Sequence, residues 1–95
     1  MDTKYKCACC GNLTLEESGK HEICPVCFWE DDLVQNEDPT FAGGSNAVSL
    51  TEAKVNFAEF GACEKRYIDK VRKVSPDEIN IADLYDEYKS DDEEE

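Results

Sequence analysis

Cys7 and Cys10 stand three positions apart, thirteen residues follow, and Cys24 and Cys27 repeat the spacing. This C-x2-C-x13-C-x2-C pattern constrains the fold more than anything else in the chain. In a C-x-x-C knuckle the backbone folds back tightly, so that both sulfurs face one point. Two knuckles brought together supply the tetrahedral four-sulfur set that structural zinc prefers. Gly11 follows the first knuckle, where the backbone commonly needs a positive φ that glycine accepts without strain. Phe28 holds the equivalent place after the second knuckle, so that turn must either differ or carry strain. Pro25 fixes φ inside the second knuckle. Four thiolates suit iron as well as zinc. Zinc is the preferred reading, because nothing else in the chain points to redox work and Phe28 departs from the rubredoxin-like pattern.

Two further cysteines fall outside the pattern. Cys9 is too close to Cys7 and Cys10 to pair well with either on the same ion. It reads as a packed side chain, with ligand exchange or a reactive thiol as alternatives. Cys63, in "EFGACEKRY", reads as a buried, inert thiol. His21 is a weaker candidate ligand than the four cysteines.

The chain of 95 residues is one small domain whose core is thin enough to need help from a metal. The first 22 residues hold no apolar run of signal-peptide type, and no stretch is long enough to span a membrane. Clustered cysteines in that setting imply a reducing, cytoplasmic environment and metal ligation rather than disulfides.

Between the knuckles, "LTLEESGKHEI" alternates polar and apolar residues around a turn signal. It predicts a hairpin of Leu13–Glu16 against His21–Ile23. The stretch from Glu30 to Val48 reads as loop, with Asp38-Pro39 and Gly43-Gly44 as breakers. "SLTE" then predicts a helix capped by Ser49, with Glu52 three residues on, inward Leu50, Ala53, Phe57 and Phe60, and Gly61 at the end. A second amphipathic helix is expected with Tyr67, Ile68 and Val71 inward and Lys65, Arg66, Lys70, Arg72 and Lys73 outward. Ser75 and Pro76 open a third, along which Ile81, Leu84, Tyr85 and Tyr88 share a face. The expected fold is a small α+β metal-stabilised domain. It has a zinc-ribbon-like β-hairpin with two knuckles, packed by two or three C-terminal helices. Residues 1–75 form the zinc-binding domain, and residues 76–95 form an acidic amphipathic segment and tail.

The short runs "CACCG", "EICPVCFWEDD", "QNEDP", "GGSNAVSL", "EA" and "FGAC", in that order, resemble the bacterial cysteine-rich CPCC proteins, from about Tyr5 to Val74. Ala8 stands where the family motif has proline. The acidic segment after Ser75 lies outside the resemblance. The resemblance implies a bacterial origin and supports the metal site through Cys7, Cys9, Cys10, Cys24 and Cys27. It implies no established activity, although some members look like antidotes to bacterial toxins.

Formal net charge is −13, and residues 77–95 carry ten acids against one lysine. Such a field repels phosphate backbones and attracts basic surfaces. The favoured function is a zinc-stabilised protein-binding module for a basic protein. Its sharpest form is an immunity protein that neutralises a nuclease-type toxin, with Glu30, Asp31, Asp32, Glu37 and Asp38 as partner-binding residues. One alternative is nucleic-acid binding through the strip Lys65–Lys73, which the overall charge disfavours. Another is a thiol- or metal-dependent hydrolase. It is disfavoured because four cysteines close the coordination sphere and no H-E-x-x-H pattern is present. The sequence identifies no catalytic residue.

Overall fold

A computed structural model of the chain describes residues 4–79. It is a zinc-ribbon-like α+β fold built around two knuckle turns. Strands β1 (Tyr5–Lys6) and β2 (Leu13–Leu15) pair antiparallel, with Tyr5 opposite Leu15 and Lys6 opposite Leu13. The first knuckle is the turn of this hairpin. The second is framed in the same way by an antiparallel bridge between Ile23 and Glu30.

The expected pairing of Leu13–Glu16 with His21–Ile23 does not form. Each segment instead pairs across its own knuckle. At the first knuckle the Cys7 N–H to Asn12 carbonyl and Gly11 N–H to Cys7 carbonyl bonds reverse the chain and set its flanks side by side, and the matching bonds Cys24 N–H to Trp29 carbonyl and Phe28 N–H to Cys24 carbonyl do so at the second. The Glu16–Glu22 turn is held by a side chain instead, as the Glu22 carboxylate accepts the N–H groups of Glu16 (2.8 Å) and Glu17 (3.1 Å).

Helix α1 (Leu33–Glu37) occupies the start of the stretch expected to be loop. Asp32 is its N-cap, accepting from the N–H groups of Val34 (2.9 Å) and Gln35 (3.4 Å). The chain that follows wraps around the buried Gln35 side chain. Its amide donates to the carbonyls of Phe41, Asn46 and Val48, and its oxygen accepts from the Asn46 backbone N–H and side-chain amide. Asn46 in turn bonds the backbone N–H and C=O of Glu30, tying the loop to the second knuckle's frame. Gly44 passes so close that an added Cβ would lie 2.9 Å from an Asp32 carboxylate oxygen and 3.0 Å from the Gln35 amide.

Helix α2 (Leu50–Phe60) forms as the caps predict. The Ser49 hydroxyl accepts from the Glu52 N–H (3.2 Å), and the chain turns out at Gly61. Leu50 and Ala53 are buried, Phe57 is half-buried, and Phe60 lies exposed with the Lys65 ammonium over its ring, contrary to expectation.

The second expected amphipathic helix is a short 3-10 helix, Lys65–Lys70, followed by extended chain. Of its expected inward residues, Tyr67 packs on Phe28, whereas Ile68 is 42% exposed and Val71 half-buried. A last 3-10 turn, Pro76–Glu78, packs against β2. Ile81, Leu84, Tyr85 and Tyr88 lie outside the described residues. Among those described, no helix is long and apolar enough to cross a membrane.

The buried core consists of Cys7, Cys9, Cys24, Cys27 and Cys63 with Leu15, Val26, Trp29, Leu50 and Ala53. Half of these are cysteines. The core and the candidate metal centre are therefore one structure.

Candidate metal centre

The Sγ atoms of Cys7, Cys10, Cys24 and Cys27 all lie within 4.8 Å of one another. Cys7 and Cys27 are 3.5 Å apart, and Cys10 and Cys24 are 3.7 Å apart. A tetrahedron with zinc–sulfur bonds of about 2.3 Å has sulfur–sulfur edges of about 3.8 Å. The donor set therefore fits a tetrahedral thiophilic cation in both chemistry and spacing.

Backbone hydrogen bonding explains how the four sulfurs converge. In the first knuckle the Cys7 N–H donates to the Asn12 carbonyl (2.9 Å), and the Gly11 N–H donates to the Cys7 carbonyl (2.8 Å). In the second, the Cys24 N–H donates to the Trp29 carbonyl (3.0 Å), and the Phe28 N–H donates to the Cys24 carbonyl (2.7 Å). The two turns are equivalent bond for bond. Gly11 has φ 77° and Phe28 has φ 73°. Thus the second turn does not differ from the first. It holds a bulky residue in the left-handed region, at a cost of about 1–2 kcal/mol. Packing of the Phe28 ring against Tyr67, with centroids 4.4 Å apart, offsets that cost.

The sulfurs are not electrically independent. Cys24 is pulled far below a free thiol by hydrogen bonds from Cys10, then Cys27 and Cys7, with Thr14 adding to them. Cys7 is pushed up, first by Cys10 and then by Cys24. Cys24 and Cys10 are held low while Cys7 and Cys27 are pushed up, so two thiolates are favoured at the expense of the other two. A divalent cation removes this conflict, because it favours the thiolate at all four positions. Cys24 has two further partners, the Thr14 hydroxyl at 3.0 Å and the Val26 N–H at 3.4 Å. Such contacts orient a metal ligand and spread its charge. The Val26 contact could have been inferred from the knuckle geometry. The Thr14 contact could not, since it depends on where β2 falls.

Cys9 is buried against Cys27 but lies outside the four-sulfur set. Cys63 is fully buried, and burial, with Cys9 and Glu64 adding to it, pushes its thiol up to about 12. Its N–H donates to the Cys27 carbonyl (2.7 Å), so Cys63 buttresses the second knuckle through its backbone. His21 is exposed, away from the sulfurs, beside Glu30 and Ser45 (3.3 Å each).

The five acids expected to meet a partner are divided by the fold. Asp31 is buried and accepts from the Gly19 N–H (2.7 Å) and the Asn36 amide (2.8 Å). Asp32 is buried too, and its carboxyl is held below the usual range, chiefly by the Ser45 N–H. Glu30 is half-buried, whereas Glu37 and Asp38 are exposed. On the basic strip, Arg66 pairs with Glu64 (2.9 Å) and Arg72 with Glu78 (2.6 Å).

Residues 5–78 match the protein family described as cysteine-rich CPCC. Comparison with curated proteins returns no match.

Proposed function

The chain belongs to the cysteine-rich CPCC family, and on that premise we propose that it is a zinc-stabilised module that binds a basic protein partner. The carrying observation is that four cysteine sulfurs gather within 4.8 Å of one another at the core, enough donors to fill a tetrahedral cation's sphere. Catalytic zinc keeps a coordination position open, whereas structural zinc does not. Zinc is preferred to iron because this site needs only to hold two turns together. A net charge of −13 supports a basic partner, whose approach would be steered by that field. An immunity protein against a basic nuclease-type toxin is the specific form of this reading, and a reducing cytoplasm is the compartment that suits free thiolates. Nucleic-acid binding gains little support, since carboxylates already engage Arg66 and Arg72 within the only cationic strip among the described residues.

The steering surface rests on Glu37, Asp38 and the partly exposed Glu30. Asp31 and Asp32 are committed to internal hydrogen bonds, so reversing their charge would break the loop rather than test binding. Elemental analysis of the purified protein should give about one zinc per chain. Stoichiometric iron, or disulfides among the four cysteines, would refute the metal assignment. For a basic partner recovered from the native host, Glu37→Lys with Asp38→Lys should slow association and flatten its dependence on salt, with the metal retained. An unchanged on-rate would make the acidic surface solubilising only.

A further inference from the structure

Helix α1 reverses the usual amphipathic arrangement. A surface helix of a globular domain turns its apolar side inward and its polar side to water. In α1 the inward residues are polar. Gln35 is fully buried, and the half-buried Asn36 accepts from the Trp29 indole N–H (3.0 Å) and donates to the Asp31 carboxylate (2.8 Å). The outward residues include two large aliphatic ones, Leu33 at 52% exposed and Val34 at 62%. At about 100° per residue, Leu33, Glu37, Val34 and the C-cap Asp38 fall on one side of the helix, with Gln35 and Asn36 on the other. Buried polar groups and grouped exposed apolar ones are the informative departures from ordinary burial. We propose that the outward side of α1 is the contact surface for a basic protein. Leu33 and Val34 meet an apolar patch on that partner, and Glu37 and Asp38 meet the lysines or arginines around it. The proposal rests on the reading of the chain as a module for a basic partner, and it names the surface where that partner sits.

Three observations support that occupant. The first is that the exposed pair is held in place. The Gln35 amide bonds to three backbone carbonyls and takes two N–H donors from Asn46, and Asp32 caps the helix start. A buried polar network satisfied in this way is rigid. The Leu33 side chain also leans on Gly19, where an added Cβ would lie 3.1 Å from its Cδ1. Side chains fixed before contact lose little freedom on binding. The second is charge. Glu37 and Asp38 stand four residues after Leu33 and Val34, both are exposed, and neither forms an ion pair among the described residues. An apolar centre supplies affinity, and a rim of one sign selects a partner of the other. The same rim opposes a second copy of this chain, which would bring acid against acid. The third is the contrast with the other apolar surface. The cavity of about 460 Å³ lined by Val26, Phe57, Ile68 and Val71 is bordered by Arg72 and Lys73, which repel a basic partner.

The test uses the full-length, zinc-loaded chain with methyl labelling and two synthetic helical peptides as probes. One peptide carries leucine on one face and lysine on the other. The second has serine in place of leucine at the same charge. The leucine peptide should shift the Leu33 and Val34 methyls and leave those of Ile68 and Val71 in place, and the serine peptide should bind about tenfold more weakly or worse. Leu33→Ser with Val34→Ser should weaken the leucine peptide by about tenfold or more, with the metal retained and the salt dependence unchanged. Val34→Ser alone, at the more exposed position, should already weaken binding, so the test stands if the double variant loses its metal. Glu37→Lys with Asp38→Lys should slow association. If that charge reversal weakens binding while the serine variants bind as the wild type does, the docking surface is overturned and the basic-partner reading stands. Binding unchanged by either set of substitutions overturns both. Peptide-induced shifts confined to the Ile68 and Val71 methyls would overturn the proposal in favour of the cavity. Shifts of Leu33 and Val34 that grow with protein concentration in the absence of peptide would overturn it in favour of a second copy.

Discussion

The two knuckles share one hydrogen-bond pattern and differ in what closes them. Gly11 closes the first without strain, and of the later chain the 3-10 turn Pro76–Glu78 packs on its strand β2. Phe28 closes the second at a conformational cost, and most of the later chain is attached there. The Phe28 ring packs on Tyr67, the Cys27 carbonyl takes the Cys63 N–H, and the Pro25 carbonyl takes the Arg72 N–H at 3.1 Å. The loop reaches the same hairpin through Asn46. The comparison shows how a symmetric pair of cysteine knuckles acquires an asymmetric fold. One half stays an economical turn, and the other accepts strain in exchange for an aromatic anchor that recruits the helices.

The comparison breaks most completely if the metal set itself is broken. Apparent metal-binding energies of zinc-finger peptides are about 10–16 kcal/mol, against a typical domain stability of about 5–15 kcal/mol. With half of the buried core made of cysteine, no apolar remainder is large enough to compensate. Cys27→Ser should abolish the fixed environment of the buried Trp29, read as loss of near-ultraviolet circular dichroism, and chelation of the wild type should do the same. Cys9→Ser should keep both signal and metal. Equal damage from Cys9→Ser and Cys27→Ser would make Cys9 a ligand and overturn the four-sulfur set.

How much of this was legible beforehand follows from the range of each interaction. The clustering of the four sulfurs was readable because a knuckle is written in four consecutive residues. Helix α2 was readable because Ser49, Glu52 and Gly61 act within a turn of where they stand. Helix α1 had a usable local sign, Asp32 with Gln35 three residues on, which is a capping-box spacing. It was obscured by the glycines and proline that follow. The loop's order was not readable, since Gln35 bonds to residues as far on as Val48, and no local pattern encodes that choice. The partner of β2 was not legible, because alternation identifies a strand and its face but not its neighbour. Tyr67, Ile68 and Val71 have helical spacing, yet the chain there owes its position to Phe28 and Pro25 on another element.

A smaller effect separates the two turns directly. Tyr67→Ala removes the aromatic partner of Phe28 and should cost about 2 kcal/mol, measured by denaturant unfolding of the zinc-loaded protein. Gly11→Ala puts a side chain at a positive φ in the bare knuckle and should cost about 1–2 kcal/mol. The informative variant is Phe28→Gly. In the wild type it should destabilise, because lost ring packing exceeds the strain relieved. In the Tyr67→Ala background the loss should shrink or change sign. Additive losses would mean that the ring contact does not offset the strain, and that the anchor lies elsewhere.

The smallest expected effect tests whether the ion pair near the end of the described chain steadies the second knuckle alone. The Arg72 guanidinium, followed by burial acting against it, governs the Glu78 carboxyl and holds it below its ordinary value of 4.5. A carboxyl depressed in the folded state contributes stability above its unfolded value and loses it only as pH falls through the lower folded one. From about pH 8 down to about pH 5 the pair should therefore contribute a constant amount, while metal-linked stability declines with acid in every variant as protons compete for the thiolates. Glu78→Gln should speed exchange of the Arg72 N–H, which bonds to the Pro25 carbonyl, and leave the Cys7 and Gly11 amides of the first knuckle unchanged. The difference between wild type and variant should stay flat across that range. A difference that fades well above pH 5 would show that the carboxyl is not held by Arg72. Equal acceleration at both knuckles would show that the pair stabilises the whole domain, not the second turn.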